Sequence, residues 1–195
     1  MEANVIYRIV NGDERAFDAF MDFYSGALYR YAYGVVGNRE DAEEVVSDVF
    51  VEIWKNRKGL LEIESMQAYL YTITYRKAVS MLRHTSGRAD SVSLDGLENF
   101  TASTLTAPDQ SLISREELDA LNSAIESLPP KCRHVFYLAK IERLPYNEIS
   151  RMLDVSLATV NYHVGYAMNH LKKLLGPGGK NILSLLLLYL ATYNF

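Results

Sequence analysis

A chain of 195 residues, 49% of them hydrophobic, is long enough for one or two domains with buried cores, which excludes a disordered acidic tail. One cysteine, Cys132, excludes an intramolecular disulfide framework and suits a reducing compartment. The formal net charge of −4 is awkward for a nucleic-acid binder, yet residues 1 to 60 carry eleven acids against seven bases and no carboxylate follows Asp154, so front and rear suit different partners.

Residues 1 to 17 lack a basic start followed by an apolar run, so no signal peptide is read and a cytoplasmic location is expected. Phe17, Phe20, Met21, Tyr24, Leu28 and Tyr31 recur at spacings of three and four, which predicts an amphipathic helix. A second helix begins after Asn38, a fitting N-cap, with Glu40 and Asp41 favoured by the dipole of its first turn. Its apolar stripe is Ala42, Val45, Val46, Val49, Ile53 and Trp54. The run Asn56, Arg57, Lys58, Gly59 ends it, and residues 56 to 65 read as a loop. A third helix is expected over residues 66 to 84, which contain neither glycine nor proline.

From residue 85 to about 115 the composition turns to Ser, Thr, Gly and Asp without a sustained period, the pattern of a flexible linker. Leu118, Leu121, Ile125 and Leu128 then begin a second helical domain, interrupted at Pro129 and Pro130. Further helices are expected over residues 131 to 141, 146 to 153 and 156 to 175. With no strand pattern in competition, the predicted class is all-α: two small helical domains, 10–84 and 116–175, joined by the linker 85–115 and followed by a Gly/Pro linker and apolar tail over 176–195.

Three segments bear on function. In YNEISRMLDVSLATVNYHVGYA, residues 146 to 167, a short helix would pack Ile149 and Leu153 inward and a tight turn would bury Val155. Ser156 would then cap a helix held by Val160 and Val164, the plan of a helix-turn-helix. One α-helix fits a major groove, so Asn161, Tyr162 and Tyr166 are placed to reach base edges, with Thr159 and His163 near phosphates; a plain helical hairpin is the other reading. The helix with Asp41, Glu43, Glu44, Ser47, Asp48 and Glu52 is more acidic than capping requires, as a solvated face or as a protein-docking surface. Thr72, Arg76, Ser80 and Arg83 make one cationic stripe beside Tyr69, Tyr71 and Tyr75; Tyr69 reads as core, whereas Tyr71 and Tyr75 suit either core packing or stacking on single-stranded bases. No HExxH, phosphate-binding glycine loop or GxSxG occurs, and His163 and His170 have no carboxylate or cysteine near them in the sequence, so neither catalysis nor a metal is expected.

The segments DAEEVVSDVFVEIW (41 to 54), AYLYTITYRKAVSMLR (68 to 83) and LPPKCRHVFYLAKIERLPYNEISRMLDVSLATVNYHV (128 to 164) together resemble, in order, the extracytoplasmic-function sigma factors of the sigma-70 family. The apolar tail is similar to that of Bacteroidetes members. The resemblance implies an RNA polymerase initiation factor without enzymatic activity, cofactor, metal or small-molecule substrate. Its partners would be the polymerase core, through the β′ clamp and β flap, promoter DNA and an anti-sigma factor. Asp41, Glu44, Ser47, Asp48 and Val51 would dock on the clamp. Asn56, Arg57, Lys58, Tyr71, Tyr75, Arg76, Ser80 and Arg83 would meet the melted minus-ten strand, the loop 56 to 65 taking a flipped base. Ser156, Thr159, Asn161, Tyr162, His163 and Tyr166 would meet the minus-35 duplex. The family usually has Asn and Asp where Arg76 and Ser80 stand, and basic residues at the positions of Asn161, His163 and Tyr166.

The tail ILSLLLLYLATYNF, residues 182 to 195, is shorter than the twenty or so residues a membrane helix needs. Completion of the last core, a fold-back restraint and a partner-binding segment all remain open for it. Besides the initiation factor, a stand-alone helix-turn-helix regulator and a purely structural helical adaptor are the competing function classes, separated by whether the acidic helix binds polymerase.

Overall fold

The computed structural model describes residues 3–86, 100 and 115–175; the expectations for the remaining linker positions and for the tail 176–195 lie outside the described residues. The chain divides into two compact units, Met1–Val92 and Ser93–Phe195, and the described residues form helices and turns, without strands.

The first unit runs α1 (Ala3–Val10), α2 (Glu14–Val36), α3 (Arg39–Lys55), a 3-10 segment (Arg57–Glu62) and α4 (Met66–Ser86). Asp13 caps α2 by accepting from the Ala16 amide, and its Oδ2 pairs with Arg8 at 2.7 Å, which ties α1 to the start of α2. Gly37 ends α2 at φ +80, a left-handed conformation that a side chain would strain, and its N–H donates to the Tyr33 carbonyl at 2.8 Å. Asn38 follows at once as the cap of α3, accepting from the Asp41 amide at 2.8 Å. That adjacency turns the chain back so that α2, α3 and α4 pack mutually around Phe20, Leu28, Val45, Val49, Ile53, Leu70 and Ala78, all buried. Aromatic rings lock the bundle, with Phe17 4.9 Å from Trp54 and Tyr31 4.9 Å from Tyr71.

The stretch expected as a loop after α3 is largely the 3-10 segment, because Leu60 is buried there and the segment packs against α1. Helix α1 itself has no counterpart in the sequence reading. Ile6 and Ile9 are its two buried positions, too short a repeat to announce a helix unaided.

The second unit comprises α5 (Arg115–Glu126), α6 (Pro130–Phe136) continued by a π turn (Tyr137–Ile141), α7 (Tyr146–Leu153) and α8 (Leu157–Leu174). Pro130 occupies the first turn of α6, where the missing N–H costs nothing. Leu121, Ile125, Val135, Phe136, Ile149, Val160, Val164, Ala167 and Leu171 make the core, and α8 packs on α5, α6 and α7. Asp154 in the left-handed region (φ 53) and the Ser156 cap confine the turn between α7 and α8 to three residues.

Within the linker, Phe100 is anchored to the second unit. It is 1% exposed, its ring lies 4.5 Å from that of His134 and 5.6 Å from that of Tyr137, and its carbonyl accepts from Arg133 Nη1 at 2.8 Å. Arg133 also pairs with Glu126 Oε2 at 2.7 Å and donates to the carbonyls of Glu126 and Leu128, so one guanidinium gathers Phe100 and the end of α5.

Candidate nucleic-acid interface

The turn into α8 is built by hydroxyls. Ser150 Oγ donates to the Val155 carbonyl at 2.6 Å, and Ser156 Oγ accepts from the Thr159 amide at 3.0 Å and lies 2.8 Å from Thr159 Oγ1. Both hydroxyls expected at DNA are therefore engaged in starting the helix. Val155, expected in the core, is only half-buried, because the bonds from Ser150 hold its backbone at the rim of the turn.

Once Val160, Val164, Ala167 and Leu171 face inward, the helical period leaves Leu157, Ala158, Asn161, Tyr162, Gly165 and Tyr166 outside. Tyr162 is 66% exposed, and Tyr166 stacks on His170 at 6.0 Å with an interplanar angle of 11°. This face has the width of one helix and carries no acid, as a major-groove reader requires.

His163 is not on that face. Its Nδ1 lies 3.1 Å from Cys132 Sγ on α6, and burial, reinforced by nearby Lys131, holds its pKa below the ordinary histidine value. Burial pushes the Cys132 thiol up, so a protonated thiol facing a neutral ring fits the contact. His163 is thus half-buried and bridges α6 and α8 through its Nδ1.

In the first unit, α3 buries Ala42, Val45, Val46, Val49, Phe50 and Ile53 and turns Glu44, Ser47, Asp48 and Val51 outward, with Asp41 half-buried at the cap end. Lys77 on α4 lies 2.9 Å from Glu52 and 3.8 Å from Asp48, which anchors one edge of this acidic face to the neighbouring helix. Val51, 47% exposed, is the apolar member of an otherwise acidic stripe.

Helix α4 brings Arg76, Ser80 and Arg83 together on its exposed side, whereas Thr72 donates back to the Ala68 carbonyl at 2.7 Å. The expectation that Tyr71 and Tyr75 stack on bases is corrected. Both rings are buried, Tyr71 against Tyr31, because they share the face of α4 with Leu70, Thr74 and Ala78. Asn56 and Lys58 are exposed, and half-buried Arg57 lies over the Trp54 ring at 4.5 Å and donates to the Trp54 carbonyl at 2.9 Å, which fastens the 3-10 segment to α3.

Sequence reasoning missed Phe100 and the Cys132–His163 contact. Leu94, Leu97 and Phe100 recur at spacings of three, too short a run to stand out in a polar stretch, and Cys132 stands 31 positions from His163.

Two family models match the chain: Sigma-70 region 2 over residues 20–88 and Sigma-70, region 4 over residues 118–171. The ECF RNA polymerase sigma factor SigW of Bacillus subtilis is 24% identical over 174 residues, covering 86% of this chain and 93% of that protein. The ferric citrate uptake sigma factor FecI of Escherichia coli is 25% identical over 154 residues, covering 79% and 87%. Among solved structures, the sigma factor RpoE in complex with the anti-sigma factor NepR from Bartonella quintana shares the fold with a TM-score of 0.57 and 21% identity, over 82% of this chain and 96% of that chain. Region 2 precedes region 4 along one chain whose relatives match across most of their own length, and the chain belongs to the extracytoplasmic-function sigma factors of the sigma-70 family, which direct RNA polymerase to promoters and initiate transcription.

Proposed function

We propose that the first module, residues 10–84, docks on the β′ clamp of core polymerase through Asp41, Glu44, Ser47, Asp48 and Val51. The same module holds the melted minus-ten strand through Asn56, Lys58, Arg76, Ser80 and Arg83. Residues 116–175 contact the β flap and the minus-35 duplex, the latter through the outer face of α8. The chain works in the cytoplasm, where polymerase and template are, and supplies no catalytic group of its own. An anti-sigma factor, the kind of partner named for the Bartonella relative, restrains it by covering these surfaces.

The observation that carries this reading is the division of α3 into a buried apolar stripe and an opposite, largely acidic stripe that ends in exposed Val51. An exposed valine beside carboxylates fits a docking face, which uses charge for orientation and a small apolar patch for dry contact. Glu44→Lys is therefore expected to weaken binding to core polymerase about tenfold or more in a titration, with an unchanged melting temperature. Undiminished polymerase binding would remove the docking role of α3, and a chain that ignored polymerase yet occupied duplex sites would act as a stand-alone regulator.

A further inference from the structure

Direct readout in the major groove follows donor and acceptor geometry: guanine is recognised chiefly by arginine or lysine, adenine by asparagine or glutamine, and the thymine methyl by small or apolar groups. The N-terminal half of a recognition helix makes most such contacts. In α8 that half offers Ala158, Asn161, Tyr162 and Gly165 to the outside, and the first lysine is Lys172, near the far end of the helix. Of the two histidines in α8, His163 faces Cys132 and His170 lies in the C-terminal half.

Asn161 is prepared for its task. Its Nδ2 donates one hydrogen to the Leu157 carbonyl at 2.9 Å, which fixes the plane of the amide. Asn161 is exposed, and its amide keeps a second Nδ2 hydrogen and Oδ1, the donor and acceptor types that adenine N7 and N6–H call for. Gly165 adds an independent sign. A glycine within a helix costs about 0.5 to 1 kcal/mol relative to alanine, and a Cβ there would meet nothing within 4 Å, so no packing inside the protein calls for it. A bare backbone one turn beyond Asn161 lets a bulky neighbour from outside, such as a base edge or thymine methyl, come close.

We propose that α8 selects adenine and thymine in the minus-35 element, with Asn161 as the adenine reader and Ala158, Tyr162 and Gly165 shaping an apolar bed for thymine methyls. This rests on the reading that the second module contacts the minus-35 duplex.

The test is transcription by the full chain with core polymerase from a template library randomised across the minus-35 region, the enriched sequences being read from the products. Adenine and thymine enrichment over three to four adjacent positions is expected, with Asn161→Ala lowering the preference at one of them about tenfold and Asn161→Arg turning that position toward guanine. Gly165→Ala is expected to raise the melting temperature while lowering output from the selected promoter. Guanine or cytosine enrichment for the unaltered chain, or an unchanged preference profile in Asn161→Ala, overturns the proposal while leaving minus-35 contact intact. Efficient transcription with no enrichment at any randomised position removes the minus-35 reading itself. Asn161 is exposed, so equal melting curves for the two Asn161 variants and the parent exclude misfolding as the cause.

Discussion

His134 is fully buried beside the Phe100 ring, and burial pushes its pKa from 6.5 down to about 3. It therefore stays neutral in the folded chain at any physiological pH, while the unfolded chain takes up a proton as pH falls below 6.5. The stability this residue contributes is complete above that value and is lost progressively as pH falls toward 3, with a limiting slope of about 1.4 kcal/mol per pH unit. Urea denaturation of the second unit at pH 7 and pH 5.5 should show a loss approaching that size, and His134→Gln should flatten the difference. His163 is lowered in the same direction and adds to the same trend. At this scale the sequence was only partly readable. Asn38 and Ser156 announced their caps because capping is local, whereas Tyr71, Arg57 and His163 turned inward for reasons set by Tyr31, Trp54 and Cys132, partners whose positions a helical period does not reveal.

Among the elements, α3, α7 and α8 were legible to within a residue or two, since each has an apolar stripe and a side-chain cap or a left-handed stop, whereas α2 runs several residues past the stripe from Phe17 to Tyr31 that announced it. The π turn after α6 was not, because Tyr137, Leu138, Ala139 and Ile141 are all buried and a continuous apolar run hides a change of helical pitch. Phe100 was passed over because its spacing with Leu94 and Leu97 is a short run inside a polar stretch. Its ring is nonetheless a structural part of the second unit, and Phe100→Ala is expected to cost about 3 kcal/mol, read as a lowered denaturation midpoint. A fragment beginning at residue 93 should accordingly be more stable than one beginning at residue 115, by a similar amount. Equal midpoints for the two fragments would mean that the ring adds nothing to that core.

For the whole molecule, the two-unit division follows from the distribution of apolar periodicity, and the polarity of charge along the chain matches the division of labour proposed for the two modules. The anchoring of Phe100 bears on how far those modules can separate. Ser86 ends α4, and fourteen peptide steps later the chain is already fastened to the second core, a span of at most about 50 Å when drawn straight. Residues 101 to 114 contribute nothing to that distance, because Phe100 and α5 belong to the same unit. Extra residues placed between 87 and 99 should therefore widen the separation of dyes on the two units measured by single-molecule energy transfer, while the same insertion between 101 and 114 should leave it unchanged. A phenylalanine inside a polar stretch thus sets the length of the tether, and the number of residues between the helices overstates it about twofold.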